Sequence, residues 1–554
     1  MRIPLRRYYT LLVSYLRPQW ARVLLLGVFL FAGIGLQLLN PQILRYFIDT
    51  ARAGGATPTL VRAALLFAGV ALVRNALVVA ATYTGENVGW TATNGLRSDL
   101  AEHCLSLDMS FHKAHTPGEL IERIDGDVTA LATFFSQFAI QVLGNVVLLA
   151  GVLFVVWRID WRAGLAMLVF SAVSLAVMVA IRNLAVPYWA AARQASADWS
   201  GFLVERLAGT EDIRALGGTD YTMRRAYELQ RVRLHRERRA GLMSSAMGLS
   251  TIGTLTGGTA LALALGGLLY RANLVSLGTA YMIFYYVEML FRPLMTISRQ
   301  LEDLQKASAG IERIEAIMHM QSRTSDGTKG LPAGPLEIEF EHVSFGYDGE
   351  ASVLHDLSFR LRPGRVLGLL GRTGSGKTTI TRLLLRLYDP NSGTVWLAGT
   401  DMRQVRLEDL RRRVGVVTQD VQLFQASVRE NLTFFDPAIS DERILQVLGE
   451  LGLMDWYKSL PAGLDTELAA DGCGLSAGQA QLLALARVFL REPGLVILDE
   501  ASSRLDSATE QMIERAIDRL LENRTGVVVA HRLATVQRGD EIMILEDGRI
   551  CEHG

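Results

Sequence analysis

The chain has 554 residues, half of them hydrophobic, and 56 Lys+Arg are balanced by 56 Asp+Glu for a formal net charge of zero. That length exceeds what a single core serves, the apolar content excludes intrinsic disorder, and the neutral balance gives no reason to expect nucleic acid as a partner. Cys104, Cys473 and Cys551 lie far apart with no CxxC spacing, so a disulfide framework or a zinc site is not expected.

Residues 5–16 read as an amphipathic helix lying along the inner membrane surface. Six stretches then have the length, roughly 20 residues, that a bilayer core of about 30 Å demands. They are 23–48, 60–83, 134–157, 163–186, 246–270 and 277–296. The first is not a signal peptide, because no small-residue cleavage site follows it. The basic start (Arg2, Arg6, Arg7) and the run Arg231, Arg233, Arg236, Arg238 and Arg239 belong on the cytoplasmic side by the positive-inside rule, and an even number of spans returns the chain there. Arg158 and Arg162 run mildly against that rule, with Asp160 between them. Residues 87–132 and 187–241 are too long for loops and read as helices extending from the membrane into the cytosol. Arg74, Glu288 and Arg292 are the charges within the spans, and Glu288 and Arg292 are spaced to pair along one helical face. Phe284, Tyr285, Tyr286, Met289 and Phe291 either line an amphipathic cavity or pack between helices.

Residues 322–335 (SRTSDGTKGLPAGP) read as a linker. Beyond them, short aliphatic runs at 336–340, 366–370, 414–418, 495–498 and 526–530 alternate with helical stretches, the pattern of an α/β domain built on a largely parallel sheet. The expected organisation is an all-α transmembrane domain at 1–321, the linker, and an α/β nucleotide-binding domain at 336–554.

The run 366–370 leads into Gly371-Arg372-Thr373-Gly374-Ser375-Gly376-Lys377-Thr378-Thr379, a GxxxxGK[ST] motif between a strand and a helix. Its glycines let backbone N–H groups converge on phosphate oxygens; Lys377 suits the β and γ phosphates and Thr378 suits Mg²⁺. The apolar run 495–498 ends in Asp499 and Glu500, the first suited to Mg²⁺ and the second to a base that polarises water. Taken singly, such acids are often just a solvated strand end. His531 ends the run GVVVAH, and Gln419 follows 414–418.

Leu475-Ser476-Ala477-Gly478-Gln479 resembles the LSGGQ signature of ABC ATPases. With it, Tyr347 resembles the family's adenine-stacking aromatic, Gln419 its Q-loop residue, Ser503-Arg504-Leu505-Asp506 its D-loop and His531 its switch histidine. The segments 111–128 and 205–217 resemble the two cytoplasmic coupling regions of exporter-type half-transporters. The resemblance spans essentially the whole chain. It implies ATP and Mg²⁺ as cofactors, with Gln419 also at the metal and among the catalytic residues. It implies a second half-transporter whose nucleotide meets Ser476, Gly478 and Gln479 in trans. The setting implied is a multi-pass protein of a prokaryotic inner or cell membrane with a cytoplasmic ATP-binding domain. The function implied is export of an amphipathic or lipidic compound, a small molecule, lipid or peptide, by alternating access. Import through the same fold and an ATP-gated regulatory subunit are the alternatives.

Three departures from the pattern fall on the signature side: Ala477 for the first glycine, Ala470 where an acidic residue is usual, and Arg504 for the D-loop alanine. They point to a heterodimer whose other chain has a degenerate Walker B. Relatives usually continue past Glu552-His553-Gly554 through a last helix, so a trimmed C-terminus is expected.

Overall fold

The computed structural model describes residues 13–347, 351–469, 475–499, 507–529 and 539–554, without the side chains of 133–140, 292, 297–309, 507 and 508. The chain divides into two compact units, Met1–Leu105 with Gly118–His319, and Ser106–Pro117 with Met320–Gly554.

The long helices of the first unit are α1 (Trp20–Arg52), α2 (Thr57–Ser106), α3 (Gly144–Ile159), α4 (Trp161–Ala208), α5 (Thr219–Arg271) and α6 (Leu277–Met318). Helices α2, α4 and α5 have 50, 48 and 53 residues. At 1.5 Å per residue each is more than twice as long as a bilayer core is thick, so most of the polar stretches expected beyond the membrane are continuous with the spans. Among the described residues, five helices are long and apolar enough to cross a membrane. The sixth expected span, 277–296, lies within α6. Of the surface helix expected at 5–16, only 13–16 fall among the described residues, and these are helical. There Tyr15 donates to Asp99 Oδ2 at 2.7 Å.

Local chemistry sets the turns. Asp160 caps α4, accepting from the backbone N–H groups of Arg162 and Ala163, which accounts for an acid between two arginines. Ser276 caps α6 and donates to Asp49 Oδ2 at 2.6 Å, while Asp49 Oδ1 accepts from Gly278 N at 2.9 Å. One carboxylate thereby ties the end of α1 to the start of α6. Asp127 closes a π-helical turn (Glu122–Asp127) with its side chain buried. It accepts from Arg313 Nε of α6 at 2.8 Å and from Arg123 at 3.4 Å, as a buried carboxylate must. Tyr286 is fully buried, donating to Leu38 O at 2.8 Å and accepting from Gln42 at 3.1 Å, so it is a packing element. Phe284 lines an apolar cavity of about 440 Å³ with Ile48, Gly266, Tyr270 and Tyr281. Glu288 is exposed, and the Arg292 side chain lies outside the described set. Between α4 and α5 the chain turns through Thr210–Ala215, with Leu216 86% exposed just after it.

The second unit carries ten strands among its described residues: β1 (Ile338–Phe345), β2 (Leu354–Leu361), β3 (Val366–Gly371), β4 (Ser392–Leu397), β5 (Thr400–Asp401), β6 (Val414–Val417), β7 (Leu495–Asp499), β8 (Thr525–Val529), β9 (Glu541–Glu546) and β10 (Arg549–His553). Six form a sheet in the order β10-β9-β3-β8-β7-β6, parallel from β9 through β6. Its inner strands are unbroken aliphatic runs because both faces are covered. The other four make an antiparallel sheet, β2-β1-β4-β5, which the expectation of one largely parallel sheet did not include. Its cue was the alternation in β2, whose side chains are buried one in two near its end.

The stretch expected to be a linker is docked on this unit. Thr328 N and Lys329 N donate to Gln404 O, both at 2.9 Å, and a Cβ on Gly327 would fall on the Gln404 backbone. Arg386, almost wholly buried, donates to Ser325 O at 2.8 Å and to Val405 O and Arg403 O at 3.1 Å. Gly327 is what allows the close backbone approach.

Candidate nucleotide site

Parallel strands present all their C-terminal ends on one edge of a sheet, and ligands of such sheets bind there. On this edge Leu369, Val529 and Asp499 are level across β3, β8 and β7. The phosphate-loop candidate leaves β3, Asp499 ends β7, and Gln419 stands two residues past β6, exposed. Glu500 follows Asp499 directly and His531 comes two residues after Val529 in sequence, but both lie outside the described residues, as do Ala470, Cys473 and the 503–506 segment.

The loop from Gly371 to Gly376 leads into helix α7 (Lys377–Leu384). Gly371 is obligatory by contact: a Cβ there would fall on Leu545 O and within 2.5 Å of Ser375 Oγ. Gly376 has φ +103, a left-handed conformation that favours glycine, and an added Cβ would also press on the Leu354 side chain. Lys377 is 5% exposed and its Nζ donates to Gly371 O at 2.7 Å and Arg372 O at 3.0 Å, which holds the charge inside the loop. Ser375 Oγ is buried with no partner among the described residues, an orphaned polar atom beneath the loop. Arg372, Thr373 and Gly374 are exposed on the loop, and Thr378 is exposed at the helix start, where N–H groups and the helix dipole favour an anion. The oxygens of Thr378, Gln419 and Asp499 are hard donors, the chemistry Mg²⁺ prefers.

Tyr347 sits beside this helix. Its hydroxyl meets Thr379 Oγ1 at 3.2 Å and accepts from Arg382 Nη1 at 3.0 Å. Phe345 and Tyr388 stand nearly perpendicular to its ring, at 5.0 and 5.2 Å between centroids. Burial pushes the Tyr388 phenol up from its ordinary value. Arg382 was legible in principle, since it lies three and four residues beyond Thr379 and Thr378 on one helical face.

The signature candidate opens helix α8 (Ala477–Arg491). Ser476 accepts from Gln479 N at 3.2 Å and Gln479 Oε1 accepts from Ser476 N at 2.9 Å, a complete capping box. Two of the three residues assigned to a nucleotide in trans therefore also terminate their own helix. Ala477 is exposed at the first helical position and Gly478 is buried.

Arg487, on the same helix, was not singled out from sequence. Burial pushes its guanidinium down to about 10. It donates to Gln422 O at 2.8 Å, Asn431 O at 2.6 Å and Asn431 Oδ1 at 3.0 Å. It thus links the segment after Gln419 to the helix that Ser476 caps.

Residues 354–503 match the ABC transporter family model and residues 23–294 that of the ABC transporter transmembrane region. An uncharacterized ABC transporter ATP-binding protein of Bacillus subtilis is 30% identical over 552 residues, covering 98% of this chain and 90% of that protein. An ATP-dependent lipid A-core flippase of Pectobacterium atrosepticum is 30% identical over 526 residues, 93% of this chain and 88% of that one. The fatty acid ABC transporter ATP-binding/permease protein of Mycobacterium tuberculosis is 30% identical over 463 residues, 83% and 73% respectively. In fold, the chain is similar to a bacterial Atm1-family ABC exporter solved with ATP bound, with a TM-score of 0.77 at 24% identity over 97% of this chain and 95% of that one. The chain belongs to the ABC transporters, as a half-transporter of the exporter fold. It is a multi-pass membrane protein whose ATP-binding domain is an ATPase coupled to transport.

Proposed function

We propose that this chain is the catalytic half of a heterodimeric exporter of an amphipathic or lipidic compound, in a prokaryotic inner or cell membrane. The observation that carries the reading is an asymmetry of sequence. Residues acting on the chain's own ATP (the loop 371–379, Gln419, Asp499, Glu500, His531) keep the family pattern, whereas those facing a partner's ATP (Ala470, Ala477, Arg504) depart from it. The similarity to a lipid A-core flippase and a fatty acid transporter supports a lipidic cargo.

In this reading the loop amides and Lys377 hold the phosphates, and Thr378, Gln419 and Asp499 hold Mg²⁺. Bound there, the ion neutralises charge on phosphate oxygens. Glu500 takes a proton from the attacking water, and His531 holds the γ-phosphate. Tyr347 stacks on adenine. Ser476, Gly478 and Gln479 serve the nucleotide of the partner, whose own Walker B lacks the glutamate. A site with an altered signature surrounds its γ-phosphate poorly, so a base there gains little.

The test is direct. The neighbouring reading frame should encode a partner of similar length with an LSGGQ-like signature. In the purified pair, Ala477→Gly should barely change ATPase activity, because turnover arises at the other site. A several-fold rise, or full ATPase and transport activity from this chain alone, overturns the reading.

Tyr347 gives a second expectation. Base–aromatic stacking is worth about 1–3 kcal/mol, so Tyr347→Ala should raise the apparent KM for ATP with little change in kcat. Tyr347→Phe keeps the ring, loses only the phenol contacts to Thr379 and Arg382, and should be nearly silent in the same steady-state assay.

A further inference from the structure

Arg45, Arg62 and Arg182 are further charges within the six apolar stretches, which thus carry five arginines, with Arg74 and Arg292, against one acid, Glu288. Arg45 pairs with Asp49 at 3.7 Å, and Arg62 is exposed near the start of α2. Arg182, on α4, is only 4% exposed, and its Nη1 is buried without a hydrogen-bond partner. Among the described residues it makes no ion pair. Helices α3 and α5, against which α4 packs, offer no acid at that depth: α3 has none, and α5 has none after Glu237, which holds Arg233 at 2.7 Å. On α6, Glu288 is exposed, and the side chains of Glu302 and Asp303 lie outside the described set.

Ser171 stands on the same face of α4, eleven residues or about three turns earlier, and is equally buried. A serine or threonine inside a helix can return its hydroxyl to the carbonyl four residues back, as Thr82 and Thr84 do on α2. Ser171 Oγ instead has no partner among the described residues. Arg74, mid-span on α2, repeats the pattern with a buried, unpartnered Nε. A buried charge without a partner is among the costliest features a fold can carry, and ionisable groups within a membrane mark the paths of ligands.

We propose that the cargo carries an oxyanion headgroup and that Arg182 receives it. This rests on the reading of the cargo as amphipathic or lipidic. Arg182 stands 21 residues past Trp161, about 30 Å along α4 from its outer end. That is the cytoplasmic end of a span running inward, the depth at which a compound bound for export enters. A planar guanidinium presents paired N–H donors to an oxyanion, and a low-dielectric surrounding strengthens the contact. Nη1 is sealed in this structure, so it is offered to the cargo when the surrounding helices part, as alternating access requires. Ser171 Oγ, about 16 Å farther out on the same face, is the next donor along the path.

The test uses the purified full-length transporter in phosphatidylcholine nanodiscs and two probes with one acyl chain, lysophosphatidic acid and lysophosphatidylcholine. ATPase stimulation should be half-maximal at a lower concentration of the anionic probe. Arg182→Gln should raise that concentration about tenfold, the scale of one hydrogen bond to a charged group, and leave the value for lysophosphatidylcholine unchanged. Arg182→Lys keeps the charge and should lose only part of the preference. Arg182→Met keeps the length and removes an unpaired charge, so thermal melting should be unchanged or raised. If melting falls by several degrees, an acid within the transporter is the partner of Arg182 and the proposal is wrong. If the wild type does not distinguish the probes, or Arg182→Gln shifts both alike, the oxyanion role is wrong and the lipidic cargo stands. If neither probe stimulates or binds the wild type, both fall.

Discussion

Glu500→Gln should leave ATP binding intact and slow hydrolysis by about two orders of magnitude or more, the range typical of losing a general base. In the proposed reading the phosphates are held by groups the substitution does not touch, the loop amides and Lys377. Glutamine keeps the size of the side chain and its hydrogen-bonding capacity but cannot accept a proton from water. Glu500 directly follows Asp499, which the β7–β8–β3 register sets level with Leu369, two residues before the loop. Single-turnover hydrolysis beside a direct nucleotide-affinity measurement separates the two effects. The variant should also accumulate a nucleotide-bound closed dimer, visible by cross-linking. Normal turnover would falsify the assignment.

Gly371→Ala should be far more damaging than Gly374→Ala, although both positions belong to the same motif. The added methyl at 371 falls on a main-chain carbonyl, Leu545 O, and on Ser375 Oγ, and a backbone atom cannot rotate aside. Either β9 or the loop must shift. Overpacking of this kind costs about 1–3 kcal/mol. A loop displaced by about 1 Å from its productive geometry loses on the order of 100-fold in rate. Gly374 has φ +88 but nothing within 4 Å of a Cβ, so alanine there bears only the left-handed backbone cost of about 1–2 kcal/mol. Thermal melting and the nucleotide dissociation constant should therefore rank the variants wild type, Gly374→Ala, Gly371→Ala. The reverse order would mean that conformation, and not contact, sets the loop.

The motif residues were legible because their chemistry is local. The GxxxxGK[ST] spacing needs only a strand before it and a helix after it, and β3 and α7 provide both. The spans were legible because a bilayer imposes a length and a composition on any helix that crosses it. The parallel strands announced themselves as unbroken aliphatic runs, since burial on both faces removes alternation.

What local pattern cannot carry is partnership across the chain. The contact of Lys113 with Tyr347 left no trace in spacing, because one residue lies on a helix between spans and the other beside the phosphate loop. Arg487 read as one arginine among many until folding buried it against Gln422 and Asn431. Residues 322–335 read as a linker from composition, and where that stretch rests was not legible: Gly327 and the carbonyl of Ser325 are packed against the 403–405 turn and Arg386. The sequence by itself determined the two kinds of domain and the strand–loop–helix setting of the GxxxxGK[ST] motif, each set by residue type within a short window. The tertiary structure alone decided which cation meets the aromatic ring, which arginine is desolvated and where the linker rests, because burial and close approach arise only when distant segments exclude water together.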